Sequence, residues 1–587
     1  MKGVGVLLVG VSVFGIPLMA APRTECSCLP PAALKFEIVL TQEAMDGILK
    51  LGLQVPASGI VGRVYVIITK DGSSEPREQI DVTGVPFWGK DVENFGPGDP
   101  VIIADGDPSV RGYPLATLAE IPPGEYYVQA FLNVYTVFHR ADGHVVALHQ
   151  DAGEGQNPWI SPGNAHSQVQ HLYLDPTKPE TIRLLLTEVI PPIQPLEPWE
   201  VLQQGNPRDT PWVKFVKIQS KLLSEFWGQP IYIGANILLP KGYDEHPDVY
   251  YPVIYLQGHF PGDRAPFGFV EGRGDFYNFW VSDEAPRMIV VTIRDANPYY
   301  DTSYSVNSAN LGPYGDAIVY ELIPYIEEHF RIIKEPWARI LAGGSTGGWE
   351  ALALQIWYPD FFGGCWAWCP DPVDFHYYQL VNIYEDENAY YIDHGWVKAE
   401  RPSARKADGN VLFTIKQEVY WEQAIGSRDR SGGQWAIWEA VFSPVAPDGY
   451  PMPIWDPDTG VIDHTVAEYW RENYDITYKL RTNWETLGPK LVGKLHITVG
   501  DADTYFLNEA VYLLKDFLDS TTNPPAQATF EFGWRKPHCW RGESPWRPGQ
   551  QISYAEFVKV VADYITKTAP ERADVKSWKY QKETTER

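Results

Sequence analysis

The first third of the chain alternates apolar and polar residues in short runs. FEIVL (36–40), GRVYVIITKDG (62–72) and PPGEYYVQAFLNVY (122–135) follow a period of two and are bounded by Gly, Pro and Asp. This alternation is typical of strands, and several such runs in series favour a β-sandwich. No convincing helical pattern follows any of them. We therefore predict an all-β sandwich domain over residues 33–187.

The pattern changes after a proline-rich stretch, TEVIPPIQPLEPWE (187–200), which can hold neither a helix nor a central strand. We place a linker at 188–213. Beyond it, apolar runs such as PVIYLQG, MIVVTIRD and KLHITVG alternate with helical patterns such as GDAIVYELIPYIEEHF and NEAVYLLKDFLD. Strands that alternate with helices indicate a mostly parallel sheet covered on both faces, so we predict an α/β domain over 214–567.

One long interval interrupts this alternation, from 375 to 489. It is rich in Tyr, Trp and charged residues, and it is too long to be a loop without structure of its own. We interpret it as a cap inserted beside the carboxyl edge of the sheet. The last segment, 568–587, is predicted to be a solvated charged tail.

Composition and the N-terminus restrict the class of protein. The net charge of −27 disfavours nucleic acid as a partner, since phosphate binding needs clustered Lys and Arg. Residues 1–20 carry one Lys and an apolar run and end in small residues, as a secretory signal peptide does. We expect a secreted or periplasmic protein without a transmembrane helix in its mature form; an uncleaved N-terminal anchor is the alternative.

The five cysteines are Cys26, Cys28, Cys365, Cys369 and Cys539. An odd number in an exported chain leaves at least one thiol unpaired within the chain. Their spacing matches no zinc pattern, and the histidines of the first region lack a tight ligand spacing, so no metal site is predicted.

RILAGGSTGGWEALAL (339–354) predicts a strand, a tight turn and a helix, with Ser345 at the turn. A serine in that position has its hydroxyl pushed out of the sheet, where a substrate can reach it. Side chains at 343 and 347 would collide as strand and helix close together, so glycine fits both positions. The pattern alone is weak evidence, and the surrounding α/β alternation strengthens it.

A serine nucleophile needs a base and a carboxylate that orients it, and in α/β hydrolases both follow the serine in the chain. KLHITVGDADTYFL places Asp501 and Asp503 at the end of a strand, and FEFGWRKPHCWRG offers His538 after a later one. Asp503 lies further into its loop and is our choice of acid, with Asp501 second. Asp371 and Asp374, one strand earlier, are the remaining alternatives.

The oxyanion of an acyl intermediate needs backbone N–H donors. The amide of Thr346, at the start of the helix, is one candidate. The loop after VIYLQG offers a second, from His259 or Phe260. A role for the His259 side chain in catalysis is the weaker alternative.

Several segments resemble the "putative esterase" (esterase D type) family of serine α/β hydrolases. They are NILLPKGYDEHPDVYYPVIYLQGHF, VNSANLGPYGDAIVYELIPYIEEHFRI, ILAGGSTGGWEALALQIWYPDFFGGCWAWCP, VGDADTYFL and PHCW. The resemblance implies Ser345 as nucleophile, Asp503 as acid, His538 as base and Thr346 as an oxyanion donor. Tannase-type feruloyl esterases bridge a cysteine beside the serine to one beside the histidine. Gly344 precedes the serine here, so that bridge is not expected.

These features lead us to expect a secreted serine carboxylic-ester hydrolase that uses a Ser-His-Asp triad and needs no cofactor. Its substrate would be a small-molecule or polysaccharide-linked ester, such as a carbohydrate, aryl or siderophore ester. An acyltransferase or a serine peptidase on the same triad, and a non-catalytic polysaccharide-binding protein, are the alternatives. The predicted cap holds seven of the 22 tryptophans. We expect three of them, Trp421, Trp435 and Trp438, either to line the substrate site or only to anchor the cap.

Overall fold

The computed structural model describes residues 29–149, 157–191, 209–258, 265–299 and 302–580. The predicted signal peptide lies outside these residues, and so does most of the predicted linker. Within the described residues, no helix has both the length and the apolar character needed to cross a bilayer.

Within its described residues, the N-terminal region has ten strands and one α-helix of nine residues. The strands are β1 (Leu34–Leu40), β2 (Ile60–Thr69), β3 (Phe87–Phe95), β4 (Pro100–Ile103), β5 (Val110–Tyr113), β6 (Gly124–His139), β7 (Val145–His149), β8 (Ala165–Ser167), β9 (Gln170–Leu174) and β10 (Glu180–Val189). The helix is α1 (Gln42–Lys50). It was not expected from the sequence. The side chain of Thr41 caps the helix by accepting a hydrogen bond from the Ala44 amide. The buried residues of the helix are Ala44 and Ile48.

These ten strands are joined in one hydrogen-bonded sheet. Eight follow the order β4-β1-β10-β8-β6-β2-β3-β5, while β7 and β9 pair along the long strand β6. The predicted two-sheet sandwich is therefore not confirmed, although the region is rich in strands as the alternation indicated. The ladder is mostly antiparallel; β1 and β10 pair in parallel.

Strand β2 shows how this sheet is buried on both faces. Val64, Val66 and Ile68 face the apolar core of the N-terminal region. Tyr65 and Ile67, which point the other way because the side-chain period of a strand is two, belong to a second cluster that includes Ile425 and its neighbour Ala424. The outer face of the sheet thus packs against a later segment of the chain, at Ala424 and Ile425, and not against solvent.

The second sheet has eight strands among the described residues: β11 (Val213–Ser220), β12 (Ile231–Leu238), β13 (Val253–Gln257), β14 (Ile289–Arg294), β17 (Arg339–Gly344), β18 (Gly364–Trp368), β23 (Leu495–Gly500) and β24 (Thr529–Gly533). Their order in the sheet is β11-β12-β14-β13-β17-β18-β23-β24. The first two pairs, β11 with β12 and β12 with β14, are antiparallel, and all later pairs are parallel. This mostly parallel sheet agrees with the α/β prediction.

Eleven further helices accompany this sheet within the described residues. They are α2 (Lys221–Trp227), α3 (Gly274–Trp280), α4 (Tyr314–Ala317), α5 (Ile323–His329), α6 (Thr346–Trp357), α7 (Ile415–Ile425), α8 (Gln434–Phe442), α9 (His464–Asn473), α10 (Ile476–Leu491), α11 (Asn508–Ser520) and α12 (Tyr554–Thr568). A π-helical turn, Ile318–Leu322, joins α4 to α5.

The chain between β18 and β23 leaves the sheet and forms its own small structure. It contains α7 to α10 and two two-stranded sheets, β19 (Tyr391–Asp393) with β20 (Lys398–Glu400) and β21 (Pro402–Arg405) with β22 (Val411–Thr414). A further pair, β15 (Asn307–Ser308) with β16 (Gly312–Pro313), precedes α4. We call residues 375–489 the cap.

An ionic cluster of two buried arginines and the partly exposed Asp91 joins the N-terminal sheet to the cap. Arg63 Nη1 lies 2.6 Å from Asp91 Oδ1, and Arg430 Nη2 of the cap lies 2.7 Å from Asp91 Oδ2. Arg63 also donates to the carbonyl oxygen of Ala424 at 3.2 Å. Burial opposes the charge on Asp91, but the two guanidinium groups lower its pKa to about 2. The carboxylate therefore stays ionised and holds the two regions together.

Candidate active site

Ser345 stands on a strained turn between β17 and α6. Its backbone has φ 58° and ψ −125°, in a region that residues other than glycine rarely adopt. A Cβ atom at Gly343 would lie 2.1 Å from the carbonyl oxygen of Gly347, and one at Gly347 would lie 2.5 Å from that of Gln257. Both positions therefore require glycine, as the spacing predicted, because strand and helix approach within contact distance. The Ser345 hydroxyl is displayed at the carboxyl end of the central strand β17.

A chain of hydrogen bonds runs from this hydroxyl to a buried carboxylate. Ser345 Oγ lies 2.9 Å from His538 Nε2, and His538 Nδ1 lies 2.8 Å from Asp503 Oδ2. The structure thus brings together the three residues that the sequence singled out. Asp503 follows β23 and His538 follows β24, so the two strands beyond β18 deliver their loops to the same edge of the sheet.

Local contacts fix the orientation of the Asp503 carboxylate. Its Oδ1 accepts from the amides of Tyr505 at 2.9 Å and Leu507 at 3.3 Å, which leaves Oδ2 for the imidazole. Arg405 of the cap donates to the backbone carbonyl of Asp503 at 3.0 Å. The side chain is fully buried. The acid is thereby held in one position on its loop.

Two of the alternative acids, Asp501 and Asp374, lie apart from the hydrogen bonds that connect Ser345, His538 and Asp503. The side chain of Asp501 accepts from the amide of Arg535. Asp374 pairs with His376, with Oδ1 2.6 Å from Nδ1, and caps the turn that begins the cap.

The surroundings of His538 favour its charged form. Burial opposes the charge, but the buried carboxylate of Asp503 and its hydrogen bond raise the pKa of His538 above its ordinary value. An imidazole so placed can take the proton of a serine hydroxyl and be stabilised as imidazolium while it holds that proton.

Asp371 has a position that the sequence did not reveal. Its Oδ1 lies 3.3 Å from Ser345 Oγ, and its Oδ2 accepts from the hydroxyls of Thr346 at 2.9 Å and Tyr304 at 2.6 Å. Asp371 is one of the alternative acids for the histidine, but it contacts Ser345 and not His538. The loop of Asp371 follows β18, which lies beside β17 in the sheet. The sequence does not show which strands become neighbours, so this contact could not be predicted.

The proposed oxyanion donors are only partly described. Thr346 is the first residue of α6, so its amide is one of those that have no carbonyl partner within the helix. β13 pairs in parallel with β17, with Gln257 opposite Gly343, and the chain after Gln257 therefore leaves the sheet beside the serine turn. His259 and Phe260 lie outside the described residues, and their role stays a prediction.

A cavity of about 610 Å³ opens above Ser345 and His538. Its walls come from three parts of the chain: the N-terminal region, the cap and the loops of the second sheet. The lining residues include Ile80, Asn157, Pro158, Trp159, Gln379, Glu418, Trp421, Gln434, Trp438, Tyr505 and Cys539. The contribution of the N-terminal region was not anticipated, because sequence patterns do not show how one domain docks on another.

The three candidate tryptophans divide into two kinds. Trp421 and Trp438 line the cavity. Trp435 is not among its described lining residues: it lies behind the wall, packed on Trp438 and Trp455 with ring centroids 5.2 Å apart in both cases. Its indole N–H donates to Glu418 at 2.8 Å. The expectation that Trp435 could be a wall is corrected here, since α8 turns that face toward the core of the cap.

No metal site is predicted from the sequence, because that prediction considers only the spacing of Cys and His along the chain. Clusters of potential ligands that form when distant residues meet in the fold are not visible to it. Two sets of side chains among the described residues hold potential ligand atoms within 4.8 Å of one another: Cys369 with His538 and Cys539, and Asp374 with His376 and Asp475. No zinc-like sequence spacing marks either set.

The sheet order, the serine turn and the position of the cap define an α/β-hydrolase domain. A family model described as Putative esterase matches residues 231–450. The match covers less than half of the chain, and over that segment the chain is similar to this esterase family. The matched segment includes Ser345 and ends before Asp503 and His538.

Two curated relatives share shorter segments with the chain. An endo-1,4-beta-xylanase/feruloyl esterase of Xylanibacter ruminicola is 28% identical over 133 residues, which cover 22% of this chain and 18% of the relative. Uncharacterized protein YjcH of Bacillus subtilis is 24% identical over 176 residues, 27% of this chain and 70% of YjcH. The chain thus spans less than a fifth of the first relative.

Solved structures with partial likeness include a ferulic acid esterase and an S-formylglutathione hydrolase from Agrobacterium tumefaciens. The first has 17% identity and a TM-score of 0.32 and covers 61% of this chain and 98% of its own. The second has 13% identity and a TM-score of 0.31, covering 61% and 94%. Likeness at these scores adds nothing to the assignment.

Replacing Asp503 with Asn tests which acid serves His538. We expect kcat for ester hydrolysis to fall by about 10⁴-fold, because an amide at this position favours the wrong imidazole tautomer. Asp501→Asn is the matched control on the same loop and should change kcat by less than about threefold. Steady-state kinetics on one ester substrate, with circular dichroism to verify folding, provide the measurement. A larger loss in the control would move the acid to Asp501.

Proposed function

We propose that the protein is a serine carboxylic-ester hydrolase that acts through Ser345, His538 and Asp503 on esters of aromatic acids. The observation that carries the proposal is the hydrogen-bonded chain from Ser345 Oγ to Asp503, with its 2.9 and 2.8 Å contacts, at the floor of a cavity walled by tryptophans. The match of residues 231–450 to the esterase family model supports the reaction class.

The reaction follows from the roles of the three side chains. Ser345 Oγ attacks the ester carbonyl while His538 Nε2 takes its proton, and Asp503 holds the imidazole in the required tautomer. His538 then gives the proton to the leaving alcohol. Water, activated by the same imidazole, releases the acid from the acyl-serine. Thr346 N–H and the loop after Gly258 would stabilise the oxyanion.

The cavity walls support an aromatic acyl group. Trp421 and Trp438 line the cavity, and of the two Trp438 is only 2% exposed. An aromatic acyl group would pack against these indole rings. The printed name of the Xylanibacter relative, which includes a feruloyl esterase activity, agrees with this chemistry.

We also propose that the N-terminal region is a sandwich-like accessory domain that completes the substrate site. Residues from strands at distant places in its sheet order, such as Phe36 of β1 and Trp88 of β3, share one apolar cluster, which supports a sheet folded back on itself. Ile80 and Trp159 of this region line the cavity. Export of the protein, from the signal-like residues 1–20, remains part of the proposal.

Hydrolysis of two methyl esters that differ only in their acyl group tests the proposed reaction and its substrate class. We expect methyl ferulate to be cleaved with a kcat/KM at least about tenfold above that of methyl acetate, because the aromatic acyl group contacts the tryptophan walls. Ser345→Ala should remove turnover of both and leave the melting temperature within a few degrees. A folded Ser345→Ala variant with near-normal turnover would refute the nucleophile, and a preference for methyl acetate would refute the aromatic substrate class.

Trp421→Ala tests the wall directly. We expect kcat/KM for methyl ferulate to fall by about 10- to 200-fold while that for methyl acetate changes little, since only the larger acyl group reaches the wall. Trp435→Ala is the control from behind the wall: it should lower the melting temperature and reduce both activities together. Equal losses on both esters for Trp421→Ala, with a lowered melting temperature, would make Trp421 an anchor and not a wall.

Ile80→Trp tests the contribution of the N-terminal region. The larger side chain would occupy cavity space, so we expect KM for methyl ferulate to rise at least about fivefold with little change for methyl acetate. Tyr173→Trp, at an exposed site of the same region, should leave both esters unaffected. If Ile80→Trp behaves like this control, the N-terminal region lies outside the substrate site.

A further inference from the structure

Two cysteines far apart in the sequence meet beside His538. Cys369 directly follows β18 and is buried, whereas Cys539 follows His538, is exposed and lines the cavity. Their sulfur atoms and a ring nitrogen of His538 all lie within 4.8 Å of one another. The two thiols are within hydrogen-bonding reach. Cys539 stands beside the histidine, as in a tannase-type pair, but its partner Cys369 follows β18, the strand next to β17, and does not precede the serine.

We propose that Cys369 and Cys539 form a reversible disulfide that clamps the His538 loop to the end of β18. The bond would join the two loops on either side of the serine–histidine contact, since the amide of Ser345 donates to the carbonyl oxygen of Trp368, the residue before Cys369, at 2.9 Å. The covalent link would then hold the histidine loop to the end of β18, to which the serine turn is hydrogen-bonded.

The chemical environments of the two thiols give them different roles. The hydrogen bond from Cys369 and the nearby His538 imidazole lower the pKa of Cys539, which makes it the attacking thiolate. Burial raises the pKa of Cys369, which suits a resolving thiol that reacts only after its neighbour has been activated. Both residues have positive φ, 38° at Cys369 and 62° at Cys539, so the backbone holds each in an unusual conformation at this site.

The oxidant we assign is a low-molecular-weight disulfide. The Cys539 thiolate attacks one sulfur of that disulfide, forms a mixed disulfide and releases one thiolate. Cys369 then loses its proton and attacks the Cys539 sulfur, which forms the protein disulfide and expels the second thiolate. In balance, the two cysteines lose two protons and two electrons, and the small disulfide is reduced to two thiols.

Thiol mapping on the full-length protein tests this proposal without any ester substrate, so its failure would leave the proposed function untouched. Reduced protein, freed of metal with EDTA, is treated with oxidised glutathione, alkylated in denaturant, digested and analysed by mass spectrometry. We expect a peptide linked through Cys369 and Cys539, lost again on treatment with dithiothreitol. Cys365, buried within β18 with a pKa raised to about 12, should remain a free thiol and is the internal control.

Thermal unfolding of matched variants supplies the second readout. Oxidation should raise the melting temperature of the wild type and of Cys365→Ser by at least about 2 °C. It should not raise the melting temperature of Cys369→Ser or Cys539→Ser, which cannot form the bond. Three mapping results would overturn the proposal: free thiols at both positions, glutathione retained on Cys539 without resolution, or cross-links of either cysteine only to Cys26 or Cys28. The wild-type map decides the matter even if a variant fails to fold.

Discussion

The site depends on how closely β17 and α6 approach each other at Ser345. The approach leaves no room for a Cβ atom at Gly343 or Gly347 and forces a positive φ on the serine between them. The strain, of order 1–3 kcal/mol, persists because the buried strand and helix on each side determine the backbone. The strained turn lifts the hydroxyl out of the sheet, and strand order then brings the loops after β18, β23 and β24 to it.

Docking of the N-terminal sheet on the cap is the second constraint, because it determines what surrounds the serine. Strand β2 is buried on both faces, and the Arg63–Asp91–Arg430 cluster joins it to the cap. This interface brings Trp159 and Ile80 into the same cavity as Trp421. An N-terminal region that packs in this way shapes the cavity above Ser345.

Local features of the site could be read from the sequence, whereas long-range ones could not. The glycines around Ser345 and the strand ends before Asp503 and His538 are local signals, since each depends on a few neighbouring residues. The contact of Asp371 with Ser345, the burial of Trp435 behind the wall and the meeting of Cys369 with Cys539 depend on which strands and helices become neighbours. In the N-terminal region, the alternation of apolar and polar residues identified strands but not how they pair. The helix α1 is only nine residues long, which is too short for its helical periodicity to be recognised in the sequence.

The most direct test of the central claim is labelling with a fluorophosphonate probe, followed by mass-spectrometric identification of the modified residue. A serine activated by His538 and displayed on a strained turn should react rapidly, so the account predicts a single adduct on Ser345 that disappears in His538→Ala. An unlabelled folded protein, or an adduct on any other residue, would contradict it.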